Sequence, residues 1–116
     1  MRRQSRMAKY PCRLRKMRKA SRLSQRELAR LLGLRSQGQL SDIEAGVKRP
    51  SLEIALASAR VFGTSVEDIF PALAIRAERA THAAALKLHA ESDLDQAAAA
   101  FLAALIAQLK DSDRAL

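Results

Sequence analysis

Apolar side chains recur along the chain three and four residues apart, the spacing that puts them on one face of a helix. Leu14 and Met17 lie on one narrow side of a basic stretch and predict a first helix over residues 12–21. Ser24 and Glu27 then stand at capping-box spacing, where each side chain satisfies a free backbone N–H at a helix start. Leu28, Leu31 and Leu32 follow on one face, and Gly33 stops this second helix. Ser36 is placed to cap a third helix that turns Leu40 and Ile43 inward and ends near Gly46. Leu52, Ala55, Leu56, Ala59 and Phe62 predict a fourth, closed by Gly63. Ser65 with Asp68 caps a short fifth helix carrying Val66, Ile69 and Phe70, and Pro71 punctuates the chain.

Beyond Pro71 the composition turns alanine-rich. A second capping box, Ser92 with Asp95, divides this part into two further helices. The last one carries Leu94, Ala98, Phe101, Leu102, Leu105, Ile106 and Leu109 as a stripe too wide for a lone surface helix, so it is expected to be buried against something. The organisation expected is a basic arm over residues 1–11, a compact unit over 12–70 and a helical extension over 71–116.

A length of 116 residues allows one small domain with an appendage. Aromatic residues make up 3% of the chain, which removes the platforms on which single-stranded bases stack and disfavours sheet folds of that kind. Four glycines and three prolines supply few turns, and leucine and alanine abound, so the fold class expected is all-α. Cys12 is the single cysteine; it has no intrachain disulfide partner and no second thiol with which to hold zinc, which points to an intracellular, cytoplasmic protein. Arg2-Arg3 resembles an export signal, but no apolar segment follows. The apolar run over residues 97–107 is well short of the ~20 residues that span a bilayer. No membrane contact, metal or cofactor is expected.

Dividing the net charge of +9 along the chain makes it informative. Residues 1–35 hold 13 Lys/Arg and one acid, net +12, whereas residues 36–70 are at −2 and residues 71–116 at −1. An excess confined to one end marks a surface that meets a polyanion, nucleic acid first among them.

Two helices joined by a tight connection, the second beginning with amides and small polar residues, fit a helix-turn-helix whose second helix enters a major groove. The residues in this frame are Leu14, Met17 and Arg18; Leu23-Ser24-Gln25, Leu28-Ala29 and Leu32-Gly33; Ser36-Gln37, Leu40-Ser41, Ile43-Glu44, Gly46 and Pro50-Ser51; then Phe62-Gly63, Ser65 and Ile69-Phe70. In this order, over about half the chain, they resemble the lambda-repressor/Cro type of DNA-binding domain, the XRE family. The resemblance implies a five-helix domain; the two-helix C-terminal extension beyond Pro71 lies outside it. The resemblance also implies base contacts from Gln37, Gly38, Gln39 and Asp42, phosphate contact from Gln25, and a structural salt bridge between Arg18 and Glu44. A glutamine amide matches the donor and acceptor of adenine, and Asp42 is suited to the amine of cytosine. The third helix has no Lys or Arg, so backbone attraction is expected from its flanks: Arg26, Arg35, Lys48 and Arg49, with Ser36 and Ser41, and the arm cations Arg2, Arg3, Arg6 and Lys9. Arg35 is one residue more than the family has between its second and third helices, which lengthens the turn.

Other residues invite chemistry that the chain does not complete. Glu78, His82 and His89 share a helix, but no further ligand accompanies them. Serines have no histidine within the compact unit, so no nucleophile and base pair is suggested and the protein is not expected to be an enzyme. The function expected is sequence-specific binding of double-stranded DNA by a homodimeric transcriptional regulator, a repressor. Its dimer or partner interface is expected at Leu94, Phe101, Leu102, Leu105, Ile106 and Leu109. The alternative is a protein-interaction module of the antitoxin or antiactivator kind, whose C-terminal helices bind a partner protein.

Overall fold

The computed structural model describes residues 8–91 and 93–114, with side chains for 8–91 and 93–110. Among the described residues there are seven α-helices and no strand: α1 (Leu14–Ala20), α2 (Gln25–Leu32), α3 (Gln37–Glu44), α4 (Leu52–Phe62), α5 (Val66–Ile69), α6 (Pro71–His89) and α7 (Gln96–Arg114). They divide into two compact units, with the boundary between Ala74 and Ile75.

Local chemistry sets the helix ends in the first unit. Ser24 accepts from the Glu27 N–H and Glu27 returns to the Ser24 N–H, a complete capping box. Its bonds with Ser24 hold the Glu27 carboxylate below its usual pKa. Ser36, Ser51 and Ser65 each accept from the N–H three residues on and start α3, α4 and α5. Gly33 and Gly63 close α2 and α4 in the left-handed conformation. The first helix is shorter than the expected 12–21, because Arg13 has no side chain able to cap and Ser21 ends the helix. Pro71 occupies the first position of α6, where its missing N–H costs no helical bond.

The core of this unit is Leu14 from α1, Leu28, Ala29 and Leu32 from α2, Leu40 and Ile43 from α3, Ala55 from α4, and Ile69 and Phe70 at the end of α5. Full burial of each large apolar side chain contributes about 1.5–3 kcal/mol. Leu73, in the first turn of α6, packs against the same core, which is why this unit reaches past the expected end at residue 70.

In the second unit Ala85 of α6 and Leu102 of α7 are buried, and Leu105, Ile106 and Leu109 are half-buried. The cap of α7 differs from the expected Ser92–Asp95 box. Ser92 lies outside the described residues, and the Asp95 carboxylate accepts from the N–H groups of Ala97 and Ala98, so Asp95 is itself the N-cap and Leu94 precedes the helix. Phe101 is left 67% exposed, because it points off the side of the stripe that packs inward.

Candidate nucleic-acid interface

The α2–α3 turn, one residue longer than the expected pattern, is closed by specific bonds. Gly33 turns the chain with φ +74°, and the Leu34 N–H donates to the Ala29 carbonyl at 2.9 Å. The Ser36 Oγ accepts from the Gln39 backbone at 3.2 Å, while the Gln39 side-chain carbonyl accepts from the Arg35 backbone N–H at 2.8 Å. Ser36 and Gln39 stand three apart, as in a capping box, but the glutamine reaches one residue further back than usual. That bond absorbs the extra residue.

Of the four residues expected to touch bases, Gln37, Gly38 and Gln39 are exposed at the start of α3, and Asp42 is half-buried. The Gln39 carbonyl is engaged in the turn. Asp42 has the Lys48 ammonium at 4.0 Å, and its backbone carbonyl accepts from both Val47 and Lys48, which folds the α3–α4 loop back on the helix. The Gln37 side chain is exposed and has no hydrogen-bond partner among the described residues. Ala45, one residue beyond α3, is exposed as well and completes a run with Gln37 and Ser41 at steps of four. Sequence reasoning passed over Ala45. The step of four from Ser41 is the signal that finds it, and a methyl at that position can meet a thymine methyl.

The cations flank this face. Arg26, Arg30 and Arg35 line a groove of about 320 Å³ together with Ala29, Leu34, Ser36 and Gln37. No carboxylate lines it. Arg30 is absent from the expected set, yet it lies one turn along α2 from Arg26 and belongs with it. On the other side, the Arg49 guanidinium sits 4.9 Å from the centre of the Tyr10 ring and donates to the Tyr10 hydroxyl at 3.2 Å. The Tyr10 N–H donates to the Gly46 carbonyl at 2.8 Å, so the N-terminal segment leaves from beside the end of α3. Lys9 is exposed, and Arg2, Arg3 and Arg6 lie outside the described residues.

Beneath the face lies one buried ionic cluster. Glu44, 5% exposed, receives Arg18 Nε at 2.6 Å and Nη2 at 3.2 Å, Gln25 Nε2 at 3.0 Å and Arg15 Nε at 3.4 Å. Arg18 also donates to the Leu23 carbonyl at 2.9 Å. Burial by itself raises the carboxyl pKa, but the bonds from Arg18 and Gln25, the Arg18 charge and the Arg15 bond together outweigh it and hold Glu44 below the ordinary value. Gln25, expected to contact phosphate, has its side-chain amide inside this cluster, donating to Glu44. Cys12 donates to the Ile43 carbonyl at 3.4 Å, and burial pushes its thiol pKa up despite the neighbouring arginine, so the group is held as a thiol.

Among the described residues no three His, Cys, Asp or Glu side chains gather as a metal site, and no helix is long and apolar enough to cross a membrane. Two short helices with a tight turn, the second presenting an amide and small side chains between clusters of cations, define a helix-turn-helix DNA-binding domain. Residues 14–69 match the helix-turn-helix family model, and this segment is a helix-turn-helix domain of the XRE family, lambda-repressor/Cro type. The protein is a DNA-binding transcription regulator of that type. None of the curated proteins compared with it matches.

Proposed function

We propose that the protein is a cytoplasmic repressor that binds an operator of two half-sites as a homodimer. α3 lies in the major groove with Gln37 reading a base pair, Ser41 and Ala45 follow along the groove wall, and Arg26, Arg30, Arg35, Lys48 and Arg49 hold the phosphates on either side. The observation that carries this reading is the exposed amide of Gln37 at the start of a helix with no basic residue, set beside an acid-free arginine groove. A bidentate glutamine–adenine pair is worth ~1–3 kcal/mol of discrimination, and the flanking cations supply affinity without sequence preference.

One such helix gathers few base contacts, so two copies on half-sites ~34 Å apart are the usual arrangement. α7 favours pairing: from Gln96 to Leu109 it carries no charged side chain, and Phe101 stands exposed on it. The same face supports a second reading, in which α7 grips a different protein and the first unit only tethers that complex to DNA. Selection of bound sites from a random duplex pool, at fixed salt, tests the repressor-dimer reading. An inverted repeat with half-sites one helical turn apart is expected; a single half-site, or no enriched sequence, contradicts it.

A further inference from the structure

We propose that Gln39 is a positioning residue and not a base reader: its side chain holds the lengthened turn so that Arg35 stays in the phosphate groove with Arg26 and Arg30. The inference rests on the duplex-DNA reading of this surface and assigns labour within it.

The resemblance to known domains of this type puts Gln39 among the base readers, and its exposure at the start of α3 agrees with that. Its bonding does not. A glutamine that reads adenine uses its carbonyl as acceptor and its NH2 as donor at once, with the amide plane set by the base. Here the carbonyl accepts from the Arg35 N–H at 2.8 Å, so the turn sets that plane. The backbone of Gln39 is held as well, by Ser36 Oγ at 3.2 Å. Residue and turn are thus joined at two points, the Arg35 backbone and the Ser36 hydroxyl, and Arg35 is the residue extra to the usual spacing.

Arg35 lines the groove with Arg26 and Arg30, and no acidic residue is among those lining it. A duplex phosphate there meets donors from α2 and from the turn together. If the Arg35 backbone were released, its guanidinium would become a tethered cation on a loop, attracted to DNA but no longer preset, and binding would bear the cost of ordering it. Gln37, two residues earlier and exposed, is left as the reader.

The test is a double-mutant cycle on the full-length chain, with affinity for the selected duplex and its single-base variants measured by fluorescence anisotropy over a range of salt. Gln39→Ala is expected to weaken binding about 3- to 10-fold, the scale of one lost hydrogen bond, and by the same factor on every base variant. Arg35→Ala is expected to lower the slope of log K against log salt by about 0.9, one phosphate contact. The double variant is expected to bind within about two-fold of Arg35→Ala alone, because Gln39 acts through Arg35. Relaxed preference at one base pair in Gln39→Ala, or losses that multiply in the double variant, overturn the proposal. Amide exchange of Arg35 in the free protein decides it independently of DNA. Slow exchange in the wild type and in Gln39→Glu, which keeps an acceptor oxygen, with fast exchange in Gln39→Ala, supports it; equal rates in all three overturn it. A wild-type chain that selects no sequence ends the base-reading account while leaving that exchange result to decide the role of Gln39.

Discussion

Arg18 Nε lies 2.6 Å from Glu44 Oε2, and through this contact α1 is bolted to the last residue of α3. Glu44 is sealed from solvent, so its charge is balanced only by what the fold supplies. Glu44→Ala leaves Arg18 buried without its counter-charge, which costs about 3–5 kcal/mol. In a unit of this size each kcal/mol moves the melting temperature by roughly 4–8 °C, so a thermal scan is expected to drop by more than 10 °C. An unchanged scan contradicts the cluster.

The same group makes stability depend on pH in a defined direction. The Glu44 pKa in the folded protein lies below its unfolded value, so the folded state binds the proton more weakly. Its contribution is therefore complete above the unfolded value, about 4.3, and is lost as pH falls through the lowered one. Denaturant unfolding of the wild type and of Glu44→Gln, which does not titrate, is expected to show a wide stability gap at pH 7 that narrows steadily below about pH 4. A gap that widens on acidification has the wrong sign.

Two glycines separate backbone conformation from close approach. Both Gly46 and Gly63 have positive φ, +76° and +62°, but a Cβ at Gly46 would stand 2.8 Å from the Tyr10 carbonyl oxygen whereas one at Gly63 meets open space. Gly63→Ala is expected to cost about 1 kcal/mol for the left-handed backbone alone. Gly46→Ala adds displacement of the Tyr10 segment and is expected to cost at least twice as much, with Tyr10 fluorescence reporting the loss of the Arg49 stacking.

Much of the first unit was legible because its signals are local. Ser24, Ser36 and Ser65 each act within four residues, and Gly33 and Gly63 end helices by their own backbone freedom. What escaped depends on contacts between distant segments, or on which of two local partners wins. Gln25 reads as a free polar residue at a helix start until α3 brings Glu44 to it. Leu73 follows a proline and looks like the start of something new, yet it packs backward onto the core. Ser36 was visible as a cap, but that the Gln39 amide would bond the Arg35 backbone depends on the path of the longer turn. In the second unit the apolar stripe picked out the side of α7 that is covered, with Leu102 buried and Leu105, Ile106 and Leu109 half-buried, but not that Phe101 at its edge stands exposed, since an edge position depends on what packs beside it.

Association through α7 has a direct readout. The chain mass is 12.8 kDa, and light scattering at micromolar concentration is expected to report twice that. Phe101→Glu puts a charge in the middle of an uncharged face and is expected to return the protein to the single-chain mass with an unchanged melting curve for residues 8–74. A wild type of single-chain mass contradicts the homodimer and leaves the partner-protein reading of that face.

Reading of duplex DNA by the α3 face is tested most directly by base preference in Gln37→Ala. With wild type and variant put through the same random-duplex selection at the same salt, loss of the amide is expected to leave the overall site recognisable while one A·T position in each half-site becomes indifferent, a change of ~1–3 kcal/mol in discrimination. If the variant selects the same sequence with the same stringency, Gln37 does not touch a base and the assignment of this face to the major groove fails.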